Sequence, residues 1–350
     1  MRLDGGLTAR EVQKGSVGPL EEVADLARSV EAAGYDGVWS AELDHDPFLP
    51  LVLAAEHTSR VQIGTSIAVA FARNPMILAN LGWDLQAYSG GRFILGLGSQ
   101  IKPHITKRFS MPWSRPAARM KEMVEAVKAI WESWETEERL NFRGDFYRHT
   151  LMTPMFSPGA NPFGPPPVHL AAVGDLMTEV AGESADGWIS HTFSTPSYMR
   201  EVSLPALERG ATRAGRDPME IEVSMPVTIV TGETEEEMAS AAQAARQRLA
   251  FYGSTPAYRP VLEHHGWGDA QYDLTRMSVQ GQWVEMADVI DDTMLGTFGV
   301  VAEPQHLASA VASSYGGLID GLSFGQGLRP GELWAEARQA LQAVPGRSPR

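Results

Sequence analysis

The chain contains no cysteine in its 350 residues, which removes disulfides, thiolate nucleophiles, iron-sulfur clusters and thiolate zinc sites together. No run of about 18 apolar residues occurs, and Met1 to Thr8 lacks the apolar core of a secretory signal, so a soluble protein of cytoplasmic type without a membrane span is expected. No Gly-x-Ser-x-Gly elbow is present, which leaves a nucleophilic hydrolase without support. Basic charge is in deficit: 43 acidic against 29 basic residues give a net charge of -14, an argument against a nucleic-acid partner. Acidic residues are in turn missing between Asp84 and Glu122, where Arg92, Lys102, Lys107, Arg108, Arg115, Arg119 and Lys121 all fall.

Alanine-rich amphipathic stretches alternate with short β-branched runs, the pattern of parallel strands joined by crossover helices. Leu20 to Ala33 reads as a helix closed by Gly34, and Asp36-Gly37-Val38-Trp39-Ser40 as the strand after it. The same turn returns at Asp186-Gly187 and Asp320-Gly321, with a looser copy at Gly90-Gly91. Strands are predicted at Arg2 to Gly5, Gly37 to Ser40, Val61 to Val69, Phe93 to Leu97, Val168 to Ala172, Gly187 to Ser190, Ile221 to Thr231 and Leu318 to Phe324. Eight strands with helices between them predict an α/β fold, a (β/α)8 TIM barrel, forming one domain over residues 1–350. A doubly wound sheet would place its phosphate fingerprint near the N-terminus. The nearest match, Gly96-Leu97-Gly98-Ser99-Gln100-Ile101, lies mid-chain and lacks the third glycine. A barrel needs about 250 residues. The surplus falls at Leu140 to Pro167, which holds six prolines, and in a long insertion before the last strand, at about 253–300.

Chemistry in such a barrel belongs at the C-terminal ends of the strands. Glu42, Asp44, His45 and Asp46 follow the second strand, Ser66 and Ile67 lie in the third, Gly98 to His104 follow the fourth, Gly174 the fifth and His191 the sixth. Asp44-His45-Asp46 invites a divalent metal, but convergent histidines are too few, and no metal is expected. His45 reads equally well as a hydrogen bonder before the helix near Pro47, and His264-His265 reads as surface. Gly174 stands before a helix whose first N-H groups can bind an anion. The basic window suggests an anionic ligand at the mouth, or else a solvated helix face.

The residues Ala33 to Trp39, Ile63 to Ile67 with Arg73-Asn74-Pro75, Gly91 to Ser99, and Val168 to Gly174 resemble the bacterial luciferase-like superfamily of flavin and deazaflavin oxidoreductases, closest to its actinobacterial branch that uses coenzyme F420. The resemblance implies a homodimeric barrel holding an isoalloxazine-like ring over the strand ends. It implies a non-prolyl cis peptide at Ser66-Ile67 behind the ring, with Gly98, Ser99 and Gln100, and Ala172, Val173 and Gly174, lining the ring and its phosphate-bearing chain. Where relatives carry an Asp-His pair and a glutamate, this chain has Glu42-Leu43 and Ile101, so Glu42, His45, His104 and His191 are the candidates for proton transfer and substrate orientation.

The expected function is hydride transfer between F420 and a small organic substrate, with Arg115 and Arg119 of the basic window holding the anionic tail. The alternatives are an FMN-dependent two-component monooxygenase on the same barrel and a non-catalytic flavin-binding relative. The insertion, with Trp267, Trp283, Met277, Met286 and Met294, is expected to form a substrate-facing lid, or a dimer interface of similar composition.

Overall fold

The structure is a computed structural model that describes residues 1–7, 20–324 and 331–347. From the N-terminus run β1 (Arg2–Gly6), α1 (Leu20–Ala32), β2 (Gly37–Ser40), α2 (Leu49–His57), β3 (Gln62–Thr65), β4 (Ala68–Val69), α3 (Pro75–Tyr88), β5 (Phe93–Gly98) and α4 (Pro116–Thr136). A small hairpin, β6 (Phe142–Arg143) and β7 (Arg148–His149), precedes β8 (Val168–Ala172), α5 (Asp175–Ser184), β9 (Gly187–Ser190), α6 (Pro196–Tyr198) and α7 (Leu204–Arg213). There follow β10 (Glu222–Pro226), β11 (Thr228–Val230), α8 (Glu235–Gly253), α9 (Arg259–His264), α10 (Gly268–Val279) and α11 (Asp292–Phe298). The chain ends with β12 (Gly299–Val301), α12 (Leu307–Tyr315), β13 (Gly321–Ser323) and α13 (Glu332–Gln342).

Hydrogen bonding orders the main sheet β3-β2-β1-β13-β10-β9-β8-β5-β4, and β3 also pairs with β5, which closes it. β3 and β4 are halves of one interrupted strand, so the described residues form an eight-stranded parallel barrel wrapped by helices, the predicted TIM fold. All eight predicted strands are present, with two revisions. Val61 to Val69 breaks at Ser66-Ile67, where the peptide bond is cis, as the resemblance implied. Ile221 to Thr231 divides at Val227: β10 stays in the barrel, while β11 leaves it to pair with β12, Thr228 opposite Gly299. Apolar residues lie on both sides of each break, so hydropathy alone does not reveal them.

The recurring Asp-Gly turn has a physical reason. A Cβ at Gly37 would stand 2.5 Å from Asp4 Oδ1, at Gly187 2.6 Å from the His169 ring and at Gly321 3.0 Å from Arg2 Nη2, so each glycine leaves room for a side chain of a neighbouring strand. At two of these turns the aspartate before the glycine also holds an amide near the start of a neighbouring strand. Val168 N-H donates to Asp186 Oδ2 (2.9 Å), and Val223 N-H donates to Asp320 Oδ2 (3.0 Å).

The chain forms two compact units, Asp4–Ile189 with Ala206–Glu222, and Met1–Leu3 with Ser190–Pro205 and Val223–Arg350. In the former, Trp83 stacks on Trp131 at 6.3 Å, and the proline-rich passage is held to α3 by Trp83 Nε1 donating to the Gly159 carbonyl (3.2 Å). Helices α5 and α7 cross at reciprocal glycines, where a Cβ at Gly182 would lie 2.1 Å from the Leu207 carbonyl oxygen and one at Gly210 2.0 Å from that of Glu179. In the latter unit, α8 packs with the insertion around Leu249, Val261, Leu262, Leu274, Met286, Met294 and Phe298, all buried. Met286 and Met294 are therefore core residues and not part of a ligand-facing surface, whereas Trp283 and Val279 are exposed.

Candidate functional site

Behind the interrupted strand lies a buried ion pair. Glu42, just past the end of β2, accepts from Val69 N-H (2.7 Å) and from Arg73 Nη1 (2.5 Å), while its own N-H donates to the Ile67 carbonyl (3.1 Å). Arg73 also donates to the Val69 carbonyl (3.2 Å) and to Asp46 Oδ2 (2.9 Å). Side-chain exposure is 6% for Glu42 and 14% for Arg73, so water does little to screen the pair. The Glu42 carboxylate is thus a brace across Ser66-Ile67. Arg73 is a partner of Glu42 that the charge pattern did not single out. Its signal lay in Arg73-Asn74-Pro75, where Asn74 caps α3 through Ile77 N-H (3.0 Å) and Pro75 opens the helix.

Glycines shape the adjoining strand end. A Cβ at Gly98 would lie 2.8 Å from Ile67 Cδ1 and Cγ1, so the absence of a side chain there leaves room for the half-buried Ile67 against the end of β5. Gln100 follows in the left-handed region (φ 58°), with its Oε1 accepting from Ile101 N-H (2.9 Å), and Ser99 Oγ donates to the Gln100 carbonyl (3.1 Å). After β8, the Ala172 carbonyl accepts from Trp188 Nε1 (3.2 Å), Val173 is half-buried, and Gly174 is the N-cap of α5 with open space where a Cβ would be.

The predicted imidazoles are not brought together. His45 is exposed, 3.7 Å from Asp44, and the hydrogen-bonding role before α2 belongs to Asp46, whose Oδ1 accepts from Phe48 N-H (2.8 Å). His104 opens an exposed turn, His104–Arg108. The basic window also separates. Arg92 precedes β5 and donates to the Val61 carbonyl (2.8 Å) and the Thr58 carbonyl (2.9 Å), at the strand's N-terminal end and away from the mouth. Arg119 is buried, 4.9 Å from the Phe71 ring centroid, and donates to Tyr147 Oη (2.9 Å) and the Pro112 carbonyl (2.6 Å), which suits packing and not ligand capture. Lys121 pairs with Glu183 at 2.7 Å. Lys102, Lys107, Arg108 and Arg115 remain exposed; Arg115 pairs with Asp145 at 3.2 Å, and Arg108 reaches the Leu43 carbonyl. Among the described residues, no group of three or more metal-ligating side chains occurs, and no helix is long and apolar enough to cross a membrane.

In the other unit, His191 follows β9 and its Nδ1 accepts from Phe193 N-H (3.0 Å). Tyr258, from the insertion, lies nearly parallel to it at 4.6 Å with Oη 3.1 Å from Nε2, and Tyr252 meets its ring edge-on at 4.8 Å. His264 and His265 are half-buried and not surface residues, bonded to Ser197 Oγ (2.7 Å) and Thr195 Oγ1 (2.9 Å). Burial pushes His191 down from 6.5 to about 4. The unfolded chain therefore takes up this proton first as pH falls. Stability is expected to fall between about pH 6.5 and 4, by about 3 kcal/mol for this group at 1.36 kcal/mol per unit. His149, lowered by burial, and His265, lowered by burial and by His264, act in the same direction. Urea unfolding at several pH values across that window checks this, and His191→Gln should flatten the slope; a wild-type curve already flat there would contradict a neutral buried imidazole.

Comparison with known proteins agrees with the barrel fold. An uncharacterized protein of Mycobacterium tuberculosis is 56% identical over 301 residues, 86% of this chain and 88% of that one. The 5,10-methylenetetrahydromethanopterin reductase of Methanolobus tindarius is 27% identical, over 84% of this chain and 86% of its own. Among solved structures, the coenzyme F420 dependent tetrahydromethanopterin reductase of Methanopyrus kandleri superposes with a TM-score of 0.74 at 21% identity, over 93% and 94% of the two chains. A type II Baeyer-Villiger monooxygenase of Pseudomonas putida in complex with FMN shares the fold, with a TM-score of 0.68 at 14% identity, over 99% and 98%. Residues 2–321 match the luciferase-like monooxygenase family, and with that match the chain belongs to the bacterial luciferase-like oxidoreductases, a family with both F420- and FMN-dependent members.

Proposed function

We propose that the protein transfers a hydride between coenzyme F420 and a small organic substrate. The observation that carries this reading is the shelf made by Ile67 over Gly98, braced from behind by Glu42 and Arg73. A side chain at position 98 would displace the Ile67 side chain, and an apolar surface at the strand ends suits the face of a planar ring. When bound, the deazaflavin would supply or accept the hydride. Ser66, Ile67, Gly98, Ser99 and Gln100 would support the ring, and Ala172, Val173 and Gly174 would take the phosphate-bearing chain beside the start of α5. Lys102, Lys107, Arg108 and Arg115, exposed in a stretch without acids, would offset the charge of a polyanionic tail. In this reading Glu42 is a positioning residue and the exposed His45 and His104 remain for proton transfer, whereas His191 has both ring nitrogens engaged, by Phe193 N-H and Tyr258 Oη, and does not.

The test is a visible spectrum of the purified protein after equilibration with F420 or FMN and removal of excess. F420 is expected to be retained preferentially. Arg115→Ala should weaken F420 more than FMN, and the difference should shrink at high salt as screening grows. Retention of FMN alone would favour the monooxygenase alternative, and retention of neither would sink the oxidoreductase reading.

A further inference from the structure

The pairing of His191 with Tyr258 reaches beyond cofactor binding. A neutral imidazole carries one proton. Phe193 N-H donates to His191 Nδ1 (3.0 Å), so that proton sits on Nε2, and the group facing Nε2 is Tyr258 Oη at 3.1 Å. The phenol is therefore the acceptor in this contact. Its own O-H proton has no acceptor among the described residues. Tyr252 against the His191 ring and Phe193 at 5.6 Å from the Tyr258 ring hold the pair in place. Tyr258 and Tyr252 lie in the insertion and its approach, while His191 directly follows a barrel strand, at the strand end where this fold carries out chemistry.

We propose that Tyr258 is a hydrogen-bond donor kept for a carbonyl-type oxygen of a bound ligand (ketone, enone, aldehyde or amide), with His191 as the residue that positions it. Burial keeps both partners uncharged: it lowers His191 to about 4 and, with Tyr252, raises Tyr258 to about 12. Among the described residues no cation is hydrogen-bonded to the phenol, so an uncharged acceptor suits it better than a phosphate or carboxylate. The identification of that ligand with the substrate rests on the oxidoreductase reading above; the hydrogen-bond geometry does not.

Isotope-labelled full-length protein, without cofactor, tests it with 2-cyclohexen-1-one as the probe. The His191 nitrogen resonances are expected to show an unprotonated Nδ1 and a protonated Nε2. Millimolar probe should shift the Tyr258 ring-carbon resonance next to the hydroxyl. Tyr258→Phe, which keeps the ring packing, should weaken the probe by roughly tenfold. The same variant should leave F420 retention unchanged. His191→Phe removes the Nε2 proton and is expected to change the Tyr258 resonance and weaken the probe, which a purely structural histidine would not do. The opposite tautomer, no Tyr258 shift at millimolar probe, or equal probe affinity in Tyr258→Phe overturns the proposal. If the resonance shifts and the loss in Tyr258→Phe appear in a protein that retains neither cofactor, the donor assignment stands and the oxidoreductase reading falls.

Discussion

Gly96→Ala is expected to leave little folded protein. The new methyl carbon would stand 1.7 Å from the Thr65 carbonyl oxygen and 2.9 Å from its carbon, both backbone atoms of the adjacent strand. No rotamer change relieves that overlap. β3 and β5 would have to separate, breaking the bonds in which Gly96 N-H donates to Thr65 Oγ1 (2.9 Å) and Thr65 Oγ1 donates to the Gly96 carbonyl (2.6 Å). A cost above about 4 kcal/mol follows from forced overpacking together with lost buried hydrogen bonds. The control is Gly98→Ala, where the nearest atoms belong to the Ile67 side chain at 2.8 Å and not to backbone, so a cost of about 1–3 kcal/mol and a soluble product are expected. Soluble yield and the thermal unfolding midpoint measure both; a Gly96→Ala protein that melts like wild type would show that these strands are not packed at this distance.

Arg73→Ala is expected to lower the free energy of unfolding by about 3–5 kcal/mol, because it strands the Glu42 carboxylate in a buried site with Val69 N-H as its remaining donor. Arg73→Ala with Glu42→Gln should recover part of the loss, since the neutral amide removes the unpaired buried charge. A coupling of about 1–3 kcal/mol between the two positions is expected in a double-mutant cycle by urea unfolding. Additive effects would mean that the pair is screened by water, and the brace behind Ile67 would lose its electrostatic basis.

The barrel was legible because its evidence is local. Most strands are short runs with apolar residues at their centre, and three of the connections carry the same Asp-Gly turn, which the structure explains by side chains that need space beside Gly37, Gly187 and Gly321. The site was legible only in part, because charge and hydropathy do not show where a side chain points. Arg115 and Arg119 look equivalent in the chain, yet one is exposed and the other packs against Phe71 and Tyr147. Glu42 pairs with a residue 31 positions away, and His191 with one 67 positions away. Tyr258 was visible only as one of several aromatic residues in the insertion. Met286 and Met294, equally visible there, fill the core.

The aspartates that hold Val168 and Val223 decide where the barrel can fray. A strand loosens from its ends, and at these two the first amides are tied to a carboxylate carried on the approach to the next strand. Releasing either amide means displacing the turn that starts another strand, so opening from that side involves two strands at once and is costly. Local opening of β8 is therefore expected to start from its other end, where Ala172 leads through Val173 and Gly174 into α5, while the Val168 and Val223 amides are expected to exchange slowly with solvent.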